Sequence, residues 1–189
     1  DAGLLTCPPE QAQRLTGDLV PEVYDRPVRM RAVWTVMAAF QRPLLTPLDG
    51  IVMDDLPLAW AARNNSKPQR DRAPESWVLQ AGSDISEDFI DHPREDVVSD
   101  LLAAFEHGLN EPLPPRMFAT AHRWLYAKAE ATTGDRPSND DISLFDPSLG
   151  LGFAGDWLNP PASVFYGIQS AWQSGMDAAH RINAWAKHH

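Results

Sequence analysis

The chain of 189 residues carries 16 basic and 26 acidic side chains, a formal net charge of −10, and is 43% hydrophobic. Its length and apolar content suit one domain or one lobe of a two-lobed protein. The acidic balance argues against binding to nucleic acid or to an anionic membrane surface, and no apolar run approaches the roughly 20 residues of a membrane-spanning helix. No secretory signal opens the sequence, and the single Cys7 can form no internal disulfide, so a reducing, cytoplasmic setting is expected.

An antiparallel sheet is expected in the first half of the chain. Residues 3–7 form an apolar run that predicts a strand, and residues 9–15 suit a short helix with proline in its first turn. Further strands are predicted at 33–40, 51–53, 58–63 and 76–81, with a turn over 47–50. The turns between them favour antiparallel neighbours.

Helical periodicity marks the middle of the chain. A short helix is predicted at 84–90, and apolar side chains recur at helical spacing between 93 and 107. Pro93 fits the first turn of that second helix and Gly108 fits the position just after its end. After it, the sequence predicts a strand at 117–126, a polar surface loop at 132–141, and a strand-loop-helix unit that ends near residue 186.

The segment 151–157 (Leu-Gly-Phe-Ala-Gly-Asp-Trp) is the first candidate for chemistry. It predicts a short buried strand in which Gly155 lets a ligand approach the backbone closely. Asp156 then lies at the carboxyl end of the strand, where open α/β sheets bind ligands, and its carboxylate is suited to accept hydrogen bonds from sugar or ribitol hydroxyls. The alternative interpretation is that Asp156 only caps a turn.

A helix is predicted to begin at Ile168, Gln169 and Ser170, after a loop that follows Asp156. The free backbone N–H groups of such a helix start stabilise an anion or an electron-rich carbonyl. Small side chains at 170, 171, 174, 175, 178 and 179 form a smooth helix face that packs closely on a sheet. A purely structural, tightly packed helix is compatible with the same pattern.

Several motifs together resemble the flavin amine oxidoreductase superfamily. The segments 153–157 and 170–175 (Ser-Ala-Trp-Gln-Ser-Gly) resemble its C-terminal FAD-binding signature. The segments 60–68 and 121–127 are similar to its bacterial renalase-like branch, and residues 5–12 resemble a family strand that ends in Thr-Pro-Pro-x-Gln-Ala. Four motifs occur in the family's order over nearly the whole chain.

The resemblance implies an enzyme that holds FAD and oxidises a small amine or dihydronicotinamide-type substrate by hydride transfer, with oxygen as acceptor. It implies that Gly155 and Asp156 contact the cofactor near its ribitol. Backbone N–H groups of Ile168, Gln169 and Ser170 would face the flavin pyrimidine edge, and Trp157 and Trp172 would lie near the ring system. No metal site is expected, since the histidines show no metal-ligand spacing.

The implied fold is α+β. It consists of an antiparallel or mixed-sheet substrate domain with helices, plus the closing strand and helix of a Rossmann-like FAD-binding domain. The expected divisions are a fragment of the FAD-binding domain at 1–30, the substrate domain at 31–130, a surface loop at 131–149, and the C-terminal FAD-binding strand-loop-helix at 150–189.

Two departures from the family pattern stand out. The loop after Asp156 is longer than usual, and the glycine-rich G-x-G-x-x-G turn of the family occurs nowhere in the sequence. We therefore expect that the chain is truncated, that it is inactive alone, and that it binds FAD weakly or not at all. It is also expected to expose apolar surface where the missing N-terminal lobe would pack, or to self-associate through that surface.

Four side chains are candidates for contact with a small-molecule substrate. His122, Arg123 and Trp124 either orient a ring near the flavin or pack under the sheet. Arg63, with Asn64 and Lys67 nearby, either meets a substrate phosphate or carboxylate or anchors a surface turn. A second reading of the whole chain is a non-catalytic binding or interaction lobe.

Overall fold

The computed structural model describes residues 1–24, 28–53, 57–131, 142–158 and 167–188. Its strands are β1 Gly3–Leu5, β2 Val28–Phe40, β3 Gly50–Val52, β4 Leu58–Arg63, β5 Glu75–Ala81, β6 Arg116–Ala131, β7 Leu144–Asp146 and β8 Leu151–Phe153. Its helices are α1 Pro9–Thr16, α2 Ser83–Asp88, α3 Arg94–Leu109 and α4 Gly167–Ala186, with 3₁₀ turns at Pro21–Val23, Asn64–Ser66 and Asp156–Leu158. Among the described helices, none is long and apolar enough to cross a membrane.

The chain divides into two compact units. Unit 1 contains Asp1–Arg31 and Lys128–His189, and unit 2 contains Ala32–Ala127. The sequence-based division placed the substrate domain at 31–130, and the boundaries of unit 2 lie within a few residues of that range. The division falls inside strands β2 and β6, both of which are longer than the sequence predicts.

Unit 2 is a five-stranded sheet in the order β3-β4-β5-β2-β6, with α3 packed on one face. Strand β2 alternates as a half-buried strand should, because Trp34, Val36, Ala38 and Phe40 are buried while Met37 between them is exposed. The buried side of the sheet meets the α3 residues Val97, Val98, Leu101, Ala104 and Phe105. This cluster is the core of unit 2.

Helix α3 is bounded by different residues from those expected. Pro93 is the N-cap and not a residue of the first turn, and Gly108 lies inside the helix. The helix ends at Asn110, which adopts the left-handed conformation (φ 53°). Asparagine tolerates this conformation better than most residues, so it takes the capping place for which the sequence favours glycine.

Unit 1 contains a three-stranded sheet in the order β1-β8-β7. Strand β1 pairs with β8 in parallel, with Gly3 opposite Leu151 and Leu5 opposite Phe153, and β7 pairs with β8 antiparallel. A second core forms here from Ala12, Val20, Val23, Ala129, Phe153, Trp157 and Leu158. Parallel pairing therefore joins the first of the described strands to the last of them.

The α+β class predicted from the sequence is confirmed, with mixed and antiparallel sheets and few helices. The expectation of a surface loop throughout 131–149 is wrong for Leu144–Asp146, which form β7. That strand is only three residues long, so its two-residue alternation is too brief to detect from sequence. The predicted loop at 132–141 lies outside the described residues.

Candidate cofactor site

The candidate site begins where β8 ends. The backbone N–H of Ala154 donates to the carbonyl oxygen of Leu5 at 3.0 Å, which extends the parallel pairing one residue past the strand. Phe153 and Ala154 are both buried. The chain must then leave the sheet at Gly155, and the contacts of Leu5 fix the point at which it does so.

Gly155 has a backbone conformation that only glycine adopts readily, with φ at 152°. A Cβ at this position would lie 2.6 Å from Cδ1 of Trp157, so the indole ring occupies the space above the glycine. The N–H of Gly155 donates to Oγ of the fully buried Ser174 at 2.9 Å. The turn is therefore tied to the middle of α4.

Asp156 opens the 3₁₀ turn and directs its carboxylate toward the start of α4. Its Oδ2 lies 3.8 Å from the position that a Cβ on Gly167, the first residue of that helix, would take. Burial raises the pKa of Asp156 above its ordinary value, and this effect exceeds the lowering by the backbone N–H groups of Asp156 and Trp157. A carboxylate held near a helix N-terminus is electrostatically favoured there.

Trp157 is almost fully buried, at 2% exposure, in the core of unit 1. Its indole Nε1 is also buried and has no hydrogen-bond partner within the described parts of the chain. Buried tryptophan N–H groups usually find a partner, so this donor is available for a hydrogen bond to a group other than the described residues.

Helix α4 has two distinct faces. Of the predicted small-residue face, Ser170, Ser174 and Ala178 are buried, whereas Ala171 is exposed, because only every fourth residue of the set lies on the packed side of the helix. The opposite side exposes large apolar side chains one turn apart, at 89% for Ile168, 70% for Trp172 and 45% for Met176. The first backbone N–H groups of this helix have no carbonyl partner within it, since an α-helix leaves its first four donors free.

Asp177 fixes α4 to the segment before β7. Its Oδ2 accepts hydrogen bonds from Oγ of Ser143 at 2.6 Å and from Nε of Arg181 at 2.8 Å. Burial acts to raise the pKa of Asp177, but the hydrogen bonds from Ser143 and Arg181, together with the charges of Arg181 and His180, outweigh it and lower the pKa. This carboxylate has a structural role that the sequence alone did not indicate.

Arg63 in unit 2 anchors a turn. Its guanidinium donates to the carbonyl oxygen of Thr46 at 2.6 Å and to Oδ1 of Asp49 at 3.0 Å, and it lies over the ring of Trp77. Lys67 donates to the side chain of Asn64 at 3.2 Å. Of the two interpretations left open by the sequence, these contacts match the anchoring one.

The three residues at 122–124 do not act as one group. Arg123 lies on the side of the sheet that packs against α3, with its guanidinium over the ring of Trp34 and hydrogen-bonded to the carbonyl oxygen of Ile90. His122 and Trp124 project from the other side, where their rings meet edge to face with centroids 4.4 Å apart. Alternation along a strand separates neighbours in this way.

The structure thus brings Gly155, Asp156 and Trp157 together with the start of α4, where Ile168, Gln169 and Ser170 lie. Trp172 lies one turn further along and is exposed. Sequence reasoning missed the hydrogen bond of Ser174, for which the only signal was its place among small residues on one helix face. In the described ranges, no cluster of histidine, cysteine and carboxylate side chains is suited to a metal ion.

Comparison with known proteins extends the fold assignment. No protein-family model matches the chain. The chain is similar to the crystal structure of a protein named "putative protoporphyrinogen oxidase", from Exiguobacterium sp. 255-15, with a TM-score of 0.67 and 18% sequence identity. The match covers 97% of this chain and 40% of that one, so this chain spans about two fifths of the other's length. At this identity the likeness establishes a shared fold.

Proposed function

We propose that the chain forms the substrate lobe and the closing cofactor segment of an FAD-dependent oxidoreductase of the renalase-like or amine-oxidase-like kind. Such an enzyme oxidises a small amine or a dihydronicotinamide-type substrate by hydride transfer to the flavin, with oxygen as acceptor. The observation that carries this proposal is the turn of Gly155, Asp156 and Trp157 beside the first residue of α4. The fold shared with a protein named as an oxidase supports it.

The residues of this turn fit a flavin nucleotide. The indole of Trp157 fills the space where a side chain on Gly155 would lie, and its buried Nε1 is a hydrogen-bond donor with no partner among the described residues. The start of α4 adds free backbone N–H groups. Hydrogen-bond donors beside the carboxylate of Asp156 match a group with sugar hydroxyls and carbonyl oxygens.

Each residue of the turn has a distinct task in the proposed enzyme. The flavin, when bound, supplies the two-electron redox chemistry. Asp156 accepts hydrogen bonds from ribitol hydroxyls, and the backbone N–H groups of Ile168 and Gln169 donate to electron-rich oxygen atoms. The exposed indole of Trp172 gives apolar contact to a planar ring. The protein contributes placement and electrostatics, so no nucleophilic side chain is required.

Titration of the 189-residue chain with FAD and with riboflavin tests the proposal, and the quenching of flavin fluorescence measures the binding. We expect weak but saturable quenching, with a Kd between about 10 µM and 1 mM. We also expect similar Kd values for the two ligands, because the sequence has no glycine-rich turn for the FAD pyrophosphate. A lack of saturation up to about 1 mM would contradict the cofactor proposal. Much tighter binding of FAD than of riboflavin would mean that other residues of the chain hold the pyrophosphate.

A pair of carboxylate variants localises the binding. Asp156→Asn is expected to weaken riboflavin binding about tenfold, because an amide is a poorer acceptor for hydroxyl groups than a carboxylate. Asp18→Asn removes an exposed carboxylate of the same unit and is the matched control. Equal riboflavin affinities of the two variants would mean that the flavin does not bind at the turn.

The second candidate function is a non-catalytic interaction lobe that pairs with another copy of itself. The observation that favours it is the exposed apolar stripe of α4, formed by Ile168, Trp172 and Met176. Exposed stripes of this kind commonly mark helix-to-helix contacts. Sedimentation velocity over a range of concentrations tests it, with Trp172→Ser expected to shift a dimer to monomer. A monomer at every concentration would exclude it.

A further inference from the structure

Strand β6 lies at one end of the sheet of unit 2. In the order β3-β4-β5-β2-β6, its one neighbour among the described strands is β2, so the backbone groups on its outer side pair with no described strand. An edge of this kind readily pairs with a strand of another chain. The part of β6 that belongs to unit 2, residues 116–127, is here called the β6 edge.

The β6 edge lacks the usual protection against such pairing. Natural proteins block an exposed edge with lysines, with proline or with a very short strand. Residues 117–127 contain no lysine and no proline, and their one formally charged side chain is Arg123. Its guanidinium lies over the ring of Trp34 on β2 and donates to the carbonyl oxygen of Ile90, so its charge is held over the neighbouring strand.

Four large apolar side chains are exposed along the β6 edge. The exposed fraction is 62% for Met117, 57% for Phe118, 53% for Trp124 and 45% for Leu125. Strand alternation places Met117 and Leu125 on the same face as Ala121, which is buried in the α3 core, and places Phe118 and Trp124 on the other face. Each face of the edge therefore exposes one large apolar side chain on either side of Ala121.

The spacing of these side chains is symmetric about Ala121. Met117 and Leu125 each lie four residues from it, and Phe118 and Trp124 each lie three residues from it. An antiparallel pair of β6 edges with a two-fold axis at Ala121 would set Phe118 of one copy opposite Trp124 of the other, and Met117 opposite Leu125. Aromatic and apolar pairs directly opposite each other stabilise neighbouring strands.

Other symmetric registers lose this match. The two-fold axis must pass through a residue, because side chains opposite each other lie on the same face of a sheet. An axis at His122 would set Trp124 opposite Thr120. An axis at Arg123 would set two like charges opposite each other, which is unfavourable. The register about Ala121 is therefore the one that the edge favours.

We propose that two copies of this chain pair antiparallel through their β6 edges about Ala121, which joins two five-stranded sheets into one. The pairing covers the exposed apolar side chains and gives the outer backbone groups hydrogen-bond partners. It goes beyond the proposed function, because it uses unit 2 alone, whereas the cofactor turn and the apolar stripe of α4 lie in unit 1. Flavin binding and this pairing therefore succeed or fail separately.

Sedimentation velocity of the 189-residue chain from about 1 to 100 µM tests the proposal, and we expect a monomer–dimer equilibrium. Trp124→Lys should raise the dissociation constant of the dimer at least about tenfold, because it removes both aromatic pairs and places a lysine on the edge. Val52→Lys is the matched control, since Val52 is 57% exposed on β3 at the opposite end of the sheet. That control, and Trp172→Ser in the α4 stripe, should leave the dimer within about twofold of wild type.

A pair of opposite charges tests the register. Phe118→Lys and Trp124→Glu should each abolish the dimer, whereas an equimolar mixture of the two variants should restore it. In the mixture, the new ammonium group of one copy lies opposite the new carboxylate of the other, and restored pairing also shows that both variants fold. A mixture of Met117→Lys with Trp124→Glu should stay monomeric, because these positions lie on opposite faces.

Three results would overturn the proposal. The first is a monomer at every concentration. The second is a dimer that Trp124→Lys leaves intact and Trp172→Ser dissolves, which would assign the contact to α4. The third is equal recovery of the dimer in the two mixtures, which would mean that the opposite charges attract without the register about Ala121.

Discussion

Replacement of Gly155 by alanine tests whether the turn before α4 depends on glycine. The added methyl group changes two things at once. It places a Cβ on a residue with φ at 152°, and it brings that atom to 2.6 Å from Cδ1 of the buried Trp157. The indole has little room to move, because its side chain is 2% exposed within the core of unit 1.

The expected loss of stability follows from these two effects. Holding a non-glycine residue in a sparsely populated backbone region costs on the order of 1–3 kcal/mol. Overpacking a buried site by one methyl group costs about 1–3 kcal/mol more. Because a shift of the backbone relieves part of both, we expect Gly155→Ala to lower the free energy of unfolding by about 2–5 kcal/mol.

Urea denaturation followed by far-UV circular dichroism measures this loss. Hydrogen exchange of the α4 peptide assigns it to unit 1, because the N–H of Gly155 donates to Ser174 in the middle of that helix. Gly175→Ala is the matched control, since a Cβ there meets nothing within 4 Å. Alanine is the better helix former, so the control should gain up to about 1 kcal/mol.

Two results would refute this reasoning. A Gly155→Ala variant within about 0.5 kcal/mol of wild type would mean that the turn tolerates a side chain. An equal loss in Gly155→Ala and Gly175→Ala would mean that unit 1 is sensitive to any added methyl group. In either case the close packing of Trp157 on Gly155 could not be the feature that shapes the site.

Other substitutions probe the remaining contacts. Ser174→Ala should cost about 1–3 kcal/mol in urea denaturation by leaving the partly buried N–H of Gly155 unpaired, and a loss under about 0.5 kcal/mol would contradict that hydrogen bond. Burial raises the pKa of Asp156 in the folded chain above the ordinary value of 3.8. Wild-type stability should therefore fall as the pH rises from 3.8 to the pKa of the folded state. Asp156→Asn should therefore be more stable than wild type at neutral pH and lose this advantage below about pH 4, and a pH-independent difference would contradict the shift. Arg63→Lys should cost about 1–3 kcal/mol in urea denaturation, because an ammonium group does not reproduce the forked contacts with Thr46 and Asp49, and a loss under about 0.5 kcal/mol would contradict the anchoring role. The Thr35 hydroxyl oxygen is buried and has no hydrogen-bond partner among the described residues, so Thr35→Val should raise the free energy of unfolding by about 1 kcal/mol. A decrease would mean that the hydroxyl has a partner in the folded chain.

The strands could be predicted from sequence where apolar and polar side chains alternate. They were harder to predict where the strand contains charged residues. The sequence predicts β2 only from residue 33, whereas the strand begins at Val28. The added part includes Arg31, which pairs with Glu130 of β6 at 2.6 Å. A charged residue in a sequence pattern usually indicates exposed loop. The pattern around Arg31 does not show that β6 lies beside β2, so the partner that makes an arginine acceptable in this strand could not be predicted.

The sequence predicted which residues form the candidate site, and that assignment stays a prediction; the geometry of those residues could not be predicted. The resemblance to flavoproteins pointed to Asp156 and the start of the last helix, and the structure brings Asp156 beside Gly167. The hydrogen bond to Ser174 depends on how α4 packs, which no local pattern specifies. By contrast, the separation of Arg123 from His122 and Trp124 follows from strand alternation, and the sequence contained that information.

The parallel pairing of β1 with β8 has a consequence for the order in which the chain folds. Unit 2 is one continuous stretch and can form as soon as it leaves the ribosome, whereas β1 must wait for its partner strand β8, which begins at Leu151. Closing so long a loop is entropically costly in an unfolded chain, but β2 and β6 are neighbours in the sheet of unit 2, so its formation brings the two halves of unit 1 near each other. The inserted unit thereby acts as a folding template, and nascent chains released before Leu151 should contain a formed central sheet with an unformed cofactor segment.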